Sequence, residues 1–268
     1  MRPELRQFSS MLFDVDNTLL TEKKEIPAGL LECLSQIRSR GIDIGLCTGR
    51  GYQALKHTVL SPMMEVGVEG IHVVSGGAQI INSKGEILEG YPISADFVYQ
   101  VIDHFRSEIN MRVVVVSHEV MFLNEPYVAT AQRSWQSTVA PLEQYSGEQV
   151  YLININNIDD SRYPDFFRSS PVNIRFMTPS GLSASVDITA TGINKGVAVK
   201  RLAQLGMIDL SKTIGFGDSA NDIEFLREVG YAVAMGNAAP ELKNEANLVI
   251  GHVNDGALPN FLLELLKQ

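Results

Sequence analysis

The chain has 268 residues, 45% hydrophobic and 20% charged, which excludes wholesale disorder and leaves room for one large folded domain or two smaller ones. Its formal net charge of −9 argues against nucleic acid as the main partner, because phosphate backbones recruit clusters of Lys and Arg. No run approaches the ~18 apolar residues of a membrane span and Met1 to Ser10 carries no apolar signal core, so a soluble, cytoplasmic protein with no membrane partner is expected.

In chain order, Met11–Val15 is a short apolar run ending in carboxylates, followed by a helical pattern over Pro27–Arg40 with Leu30, Leu31, Leu34 and Ile37 on one face. Pro27 suits the first turn of that helix, and Gly41 its C-terminal end. A buried strand over Ile42–Thr48, a helix from Tyr52 to about Leu60 and a strand over Ile71–Ser75 come next. Late in the chain the alternation returns: helix Lys195–Leu205, strand Thr213–Gly217, helix Asn221–Val229, strand Tyr231–Ala234 and helix Ala257–Leu266. Such alternation predicts an α/β fold with a doubly wound parallel, Rossmann-like core.

The interval between Ser75 and Lys195 far exceeds the ~12–15 residues at which an unstructured connection becomes uncommon, so an inserted domain must fill it. It reads as helix Ala95–Ile109, a hairpin of Arg112–Val116 and Val120–Asn124, strand Val150–Asn156, helix Arg162–Arg168, and strands Asn173–Met177 and Ser183–Ile188. That mixture predicts an α+β cap with a largely antiparallel sheet. With boundaries near Ile81 and Val186, residues 1–81 and 187–268 form the core and residues 82–186 the cap. Cys33 and Cys47 sit in apolar stretches without CxxC spacing, which predicts buried thiols and suits a reducing cytoplasm.

Asp14 and Asp16 are two residues apart at a strand end, where alternation sends both to one side and invites a cation or a shared proton; an Asx-type turn is the alternative. Thr48-Gly49-Arg50 follows the second strand with a hydroxyl and backbone N–H groups suited to phosphate, though the triplet alone is weak evidence. Lys195, opening a helix after Asn194, offers a point charge to a phosphoryl oxygen or is a solvated surface lysine. Gly217-Asp218-Ser219-Ala220-Asn221-Asp222 puts carboxylates and an amide at another strand's carboxyl end, or serves as a helix N-cap through Ser219 or Asn221. All four pieces fall at the edge where open parallel sheets bind ligands.

In order and context, Asp14-Val-Asp16-Asn-Thr18, Thr48-Gly-Arg50, Lys195-Gly and Gly217-Asp218-Ser-Ala-Asn221-Asp222 resemble the four motifs of the haloacid dehalogenase-like hydrolases. The placement of the insertion resembles the class IIB, Cof-like sugar phosphatase branch. The resemblance implies a Mg²⁺-dependent phosphatase acting on a small phosphorylated metabolite, a sugar phosphate or a phosphorylated cofactor. Asp14 would be the nucleophile, forming an aspartyl-phosphate, and Asp16 the general acid and then base. Asp14, the Asp16 backbone carbonyl and Asp218 would hold Mg²⁺, with Asn221 and Asp222 orienting them; Thr48, Gly49 and Lys195 would hold the phosphoryl group. Retention of Asp16 favours a phosphatase over a dehalogenase. A phosphomutase and a non-catalytic metabolite sensor on the same fold are the alternatives. Asn17 and Gly76 depart from the family's usual Gly and Asn; Asn17 tolerates a left-handed backbone. Candidates for substrate specificity are Arg50, Arg133 and Trp135, with His118, Asn124 and Arg175 as further cap candidates; a packing anchor for Trp135 and a solvated face for Arg133 and Arg175 are the favoured alternatives.

Overall fold

A computed structural model describes residues 3–134, 137–158, 167, 170–177 and 185–268. Strands β1 (Ser10–Phe13), β2 (Asp43–Leu46), β3 (Ile71–Val74), β4 (Gln79–Asn82) and β5 (Ile87–Gly90) come first. Then follow β6 (Arg112–Ser117), β7 (Met121–Leu123), β8 (Val139–Pro141), β9 (Val150–Asn156), β10 (Val172–Met177) and β11 (Ser185–Ala190). Strands β12 (Thr213–Gly217), β13 (Tyr231–Ala234) and β14 (Leu248–Val249) complete the set.

The central sheet has the order β14-β13-β12-β1-β2, every pair parallel. Alternation along β1 explains why it is wound on both faces. Met11 and Phe13 pack with Leu30, Leu34 and Leu262 from helices Leu30–Ser39 and Ala257–Leu266, whereas Leu12 packs with Val199, Leu202 and Phe225 from helices Lys195–Gln204 and Ile223–Leu226. Strand β3 adjoins β2 through a parallel Cys47–Val73 bridge and leads into the antiparallel β3-β4-β5 sheet. The cap sheet has the order β10-β11-β9-β6-β7-β8, antiparallel except for β7 with β8. One face is apolar: Val113, Val115, Ile153, Ile155, Val186 and Ile188 pack with helix Ala95–Phe105. The alternate residues Asn154, Asn156 and Asp187 occupy the other face.

The helix from Tyr52 outruns its expected end at Leu60. An α-helical turn, a π-helical segment Lys56–Leu60 and a further turn Ser61–Glu65 follow one another, and Pro62 is accommodated in the first turn of the last piece, where its missing N–H costs nothing. The Ala95 helix stops at Phe105 instead of Ile109. Of the helix expected over Arg162–Arg168 only Phe167 lies within the described residues, buried in the cap core. Among the described residues no helix is long and apolar enough to cross a membrane.

Candidate active site

Asp14 is the first residue beyond β1, and its N–H donates to Phe216 O at 2.9 Å, so the β1–β12 ladder fixes its backbone. Lys195 opens its helix behind Asn194, whose side chain accepts the Val197 N–H. From there the ammonium reaches inward, 2.7 Å from Asp14 Oδ1 and 2.6 Å from Asp222 Oδ1. Its side chain is 1% exposed, which overturns the solvated-lysine alternative. The backbone around it is packed tightly: Gly77 has φ 105°, and a Cβ there would collide with the Asn194 carbonyl oxygen. Only Gly satisfies both the conformation and the contact.

Asp222 Oδ2 accepts the N–H groups of Asp218 at 3.0 Å and Ser219 at 2.9 Å, forming a capping box with Ser219. The N-cap alternative and the site are thus one structure, in which Asp222 orients Asp218 while pairing with Lys195. Ligand oxygens of Asp14, Asp218 and Asp222 lie within 4.8 Å of one another. Three carboxylates against one ammonium leave the cluster short of positive charge. Burial, together with the charges of Asp222 and Asp218, outweighs Lys195 and pushes Asp14 well above the usual carboxylate range. Burial and Asp222 likewise push Asp218 up to about 7. For Lys195 burial opposes the charge, but Asp14 and Asp222 overcome it and hold the ammonium protonated. A hard divalent cation such as Mg²⁺ fits this all-oxygen donor set and would supply the missing charge.

Folded Asp14 and Asp218 bind protons that the unfolded chain releases, so their stabilisation is whole below pH 3.8; for Asp218 it is lost as pH rises through about 7, and for Asp14 as pH rises through its own raised pKa. Asp16 acts oppositely, but its contribution is lost only as pH falls from 3.8 towards about 2. Metal-free protein is therefore expected to melt at lower temperature at about pH 8 than at about pH 5, and Mg²⁺ to restore more at the higher pH. Thermal scans with chelator and with Mg²⁺ check this; a metal-free melting temperature that rises across the window would contradict it.

Asp16 does not share the Asp14 cluster. Strand β1 ends at Phe13, and the N–H groups of Leu19 and Leu20 turn back to Val15 O, so strand alternation no longer applies. The Asp16 carboxylate instead receives Arg50 Nε and Nη2, both at 2.7 Å, and Lys24 Nζ at 2.6 Å. Burial opposes ionisation, but Arg50 and Lys24 bring this carboxyl down to about 2. Arg50 is thereby tied to the Asp14–Asn17 loop. Asn17 has φ 58°, the left-handed conformation that asparagine tolerates. Its carbonyl accepts from Asn237 Nδ2 at 2.9 Å, and Asn237 Oδ1 accepts the Val253 N–H at 3.0 Å. Sequence reasoning passed over Asn237; its position just beyond the carboxyl end of β13 was the available signal.

Thr48 is buried at the end of β2 and its Oγ1 accepts the Arg50 N–H at 3.1 Å. Gly49, Lys195 and Asn221 join Arg175, Asp187 and Asn173 around a cavity of about 20 Å³ between the two sheets. Arg175 donates to Asn221 O at 3.3 Å and is ion-paired with Glu224. Burial raises the Asp187 carboxyl, against the Asn154 hydrogen bond. His118 stacks on Tyr52 with centroids 4.8 Å apart and pairs with Gln79 at 3.0 Å, joining the cap hairpin to the core. Asn124 is committed to cap backbone, holding Val113 N–H and Met111 O. Arg133 is exposed near the end of helix Tyr127–Ser134, apart from the residues lining the cavity. Trp135 lies outside the described residues.

A buried carboxylate paired with a lysine, with an acidic cluster beside it, thus lies at the carboxyl edge of the doubly wound sheet. Residues 11–262 match the haloacid dehalogenase-like hydrolases, and the chain belongs to that family. Among its relatives, the HMP-PP phosphatase of Serratia proteamaculans is 25% identical over 279 residues, covering 96% of this chain and 94% of its own. The 5-amino-6-(5-phospho-D-ribitylamino)uracil phosphatase of Escherichia coli is 23% identical, covering 95% of each chain. A Geobacillus kaustophilus structure superposes with TM-score 0.77 at 26% identity, covering 96% of this chain and 98% of that one. A HAD subclass IIB sugar phosphatase shares the fold with TM-score 0.77 at 21% identity over 96% of this chain and 98% of its own. Family and named relatives are consistent with a phosphoric monoester hydrolase.

Proposed function

We propose that this protein is a cytoplasmic, Mg²⁺-dependent phosphatase of small phosphorylated metabolites, working through an aspartyl-phosphate on Asp14. The observation that carries the reading is the buried Asp14–Lys195–Asp222 array with Asp218 beside it, at the carboxyl ends of β1 and β12. With a bound cation supplying the charge that the cluster lacks, Asp14 would be ionised and would attack phosphorus directly, since an ionised carboxylate needs no base to activate it. Lys195 holds Oδ1 of that carboxylate and would hold a phosphoryl oxygen together with Thr48 and Gly49. Mg²⁺ held by Asp14, Asp218 and the Asp16 carbonyl, oriented by Asn221 and Asp222, would neutralise charge on the phosphoryl group.

Asp16 is ionised in the Arg50 clamp, the state a base requires. To protonate a leaving alkoxide it must first gain a proton, and an arriving phosphate dianion that drew Arg50 away would favour that gain. The segment from 82 to 186 would act as the cap that selects the leaving group and excludes water. The buried free thiols of Cys33 and Cys47 suit a reducing compartment.

Phosphate release from a panel of phosphorylated metabolites, with Mg²⁺ and with excess chelator, tests the reading. Release that is strictly Mg²⁺-dependent and leaves no exchange product is expected. Activity unaffected by chelator would remove the metal, and phosphoryl return to bound substrate would point to a mutase.

A further inference from the structure

We propose that Asp187 on β11 and Asn173 on β10 form an acceptor-lined wall that selects leaving groups rich in hydroxyl or ammonium donors and rejects those carrying a second anionic group. The proposal rests on the phosphatase reading above and names the substrate class it would take.

The orientation of the wall follows from its hydrogen bonds. Asn156 Nδ2 donates to Asn154 Oδ1, and Asn154 Nδ2 donates to Asp187 Oδ1 at 2.6 Å. Each donation orients the next amide, and the chain ends on one carboxylate oxygen. The other, Oδ2, lies 3.9 Å from where a Cβ on Gly49 would stand, above the loop assigned to the phosphoryl group. Asn173 donates one of its two amide hydrogens to Ile193 O at 2.9 Å, and Thr189 its hydroxyl hydrogen to the same oxygen at 2.8 Å. What Asp187, Asn173 and Thr189 offer the cavity is therefore mostly oxygen lone pairs, with Asp187 Oδ2 the charged one, beside the remaining amide hydrogens of Asn173, Asn194 and Asn221.

The cations lining the same cavity are each balanced by carboxylates of the core. Lys195 is held by Asp14 and Asp222, and Arg175 by Glu224 and the Asn221 carbonyl. A neutral polyol or an aminoalkyl group would satisfy the acceptors, whereas a second phosphate would face the Asp187 charge across a partly desolvated gap. At about 20 Å³ the cavity holds little more than a water, so the cap sheet must retreat to admit a sugar. Asp187 and Asn173 sit on neighbouring paired strands and would retreat together, still facing the incoming group.

The test measures phosphate release with Mg²⁺ by wild type, Asp187→Asn and Asn173→Ala on a hexose 6-phosphate, 2-aminoethyl phosphate, a hexose 1,6-bisphosphate and 4-nitrophenyl phosphate. Wild type is expected to prefer the first two over the bisphosphate, an order that requires no variant to fold. Asp187→Asn should lower kcat/KM for those two about tenfold or more, leave the aryl ester within about threefold, and narrow the bias against the bisphosphate. Asn173→Ala should act in the same direction by a smaller factor. Equal losses on all four esters, or a wild type that prefers the bisphosphate, would overturn the wall while the phosphatase reading stood. A wild type that hydrolyses none of them would overturn both.

Discussion

Asp14→Asn is expected to bring turnover to background, a loss of about 10⁴-fold or more, while the protein stays folded. An amide keeps the shape of the carboxylate but is too weak a nucleophile to attack phosphorus. Stability should survive because the environment of Asp14 disfavours its charge on balance: burial and the neighbouring Asp222 and Asp218 outweigh Lys195. Removing that charge lightens the crowding of carboxylates even as Lys195 loses one ionic partner. Steady-state assays beside thermal melts at about pH 8 decide the matter. Turnover at a tenth of wild type in a folded variant would take Asp14 out of the nucleophile role.

Lys195→Ala is expected to cost both activity and stability. If Lys195 faces the phosphoryl group as proposed, its loss should lower kcat/KM by about 10²- to 10³-fold, and by a similar factor for every ester, since all share that group. In the metal-free protein the substitution strands Asp14 and Asp222 without their ammonium, and removing one partner of a buried ion pair costs about 3–5 kcal/mol. The loss should shrink at about pH 5, where a carboxylate whose pKa is raised can take up a proton in place of the lost counter-charge. A variant that reordered substrate preference would contradict the first expectation. One that melted like wild type at about pH 8 without metal would contradict the second.

The core was legible because its strands are short, apolar and sharply bounded. Thr213–Gly217 and Tyr231–Ala234 have the limits read from sequence because Lys212, Gly217 and Gly230 punctuate them. The grouping of Asp14, Lys195, Asp218 and Asp222 followed from a positional rule, that ligands meet parallel sheets at the strands' carboxyl ends. Burial of Lys195 could not be read locally, because its neighbours Asp14 and Asp222 come from elsewhere in the chain. The clamp of Arg50 on Asp16 was hidden because the loop after β1 leaves strand geometry within two residues. Asn154 and Asp187 were overlooked for a different reason. Polar residues alternating with Ile153, Ile155, Val186 and Ile188 look like an ordinary solvent face, and only the folded sheet shows that this face meets the core.

The pairing of β1 with β12 also bears on how the molecule is made. Ser10 lies beside Thr213 in the finished sheet, yet the whole cap is synthesised between them. On the ribosome, β1 has only β2 as a companion, with its other edge open, until β12 at Thr213–Gly217 has emerged, at about 5–20 residues per second. The cap has no such wait: its six strands are contiguous, apart from connections within it, and can pair as they appear. Specificity would thus take shape before chemistry, and an interrupted polypeptide ending short of β12 would carry a cap with no catalytic centre beneath it. During that interval the open strand edge and its uncovered apolar face are the surfaces most in need of chaperone protection.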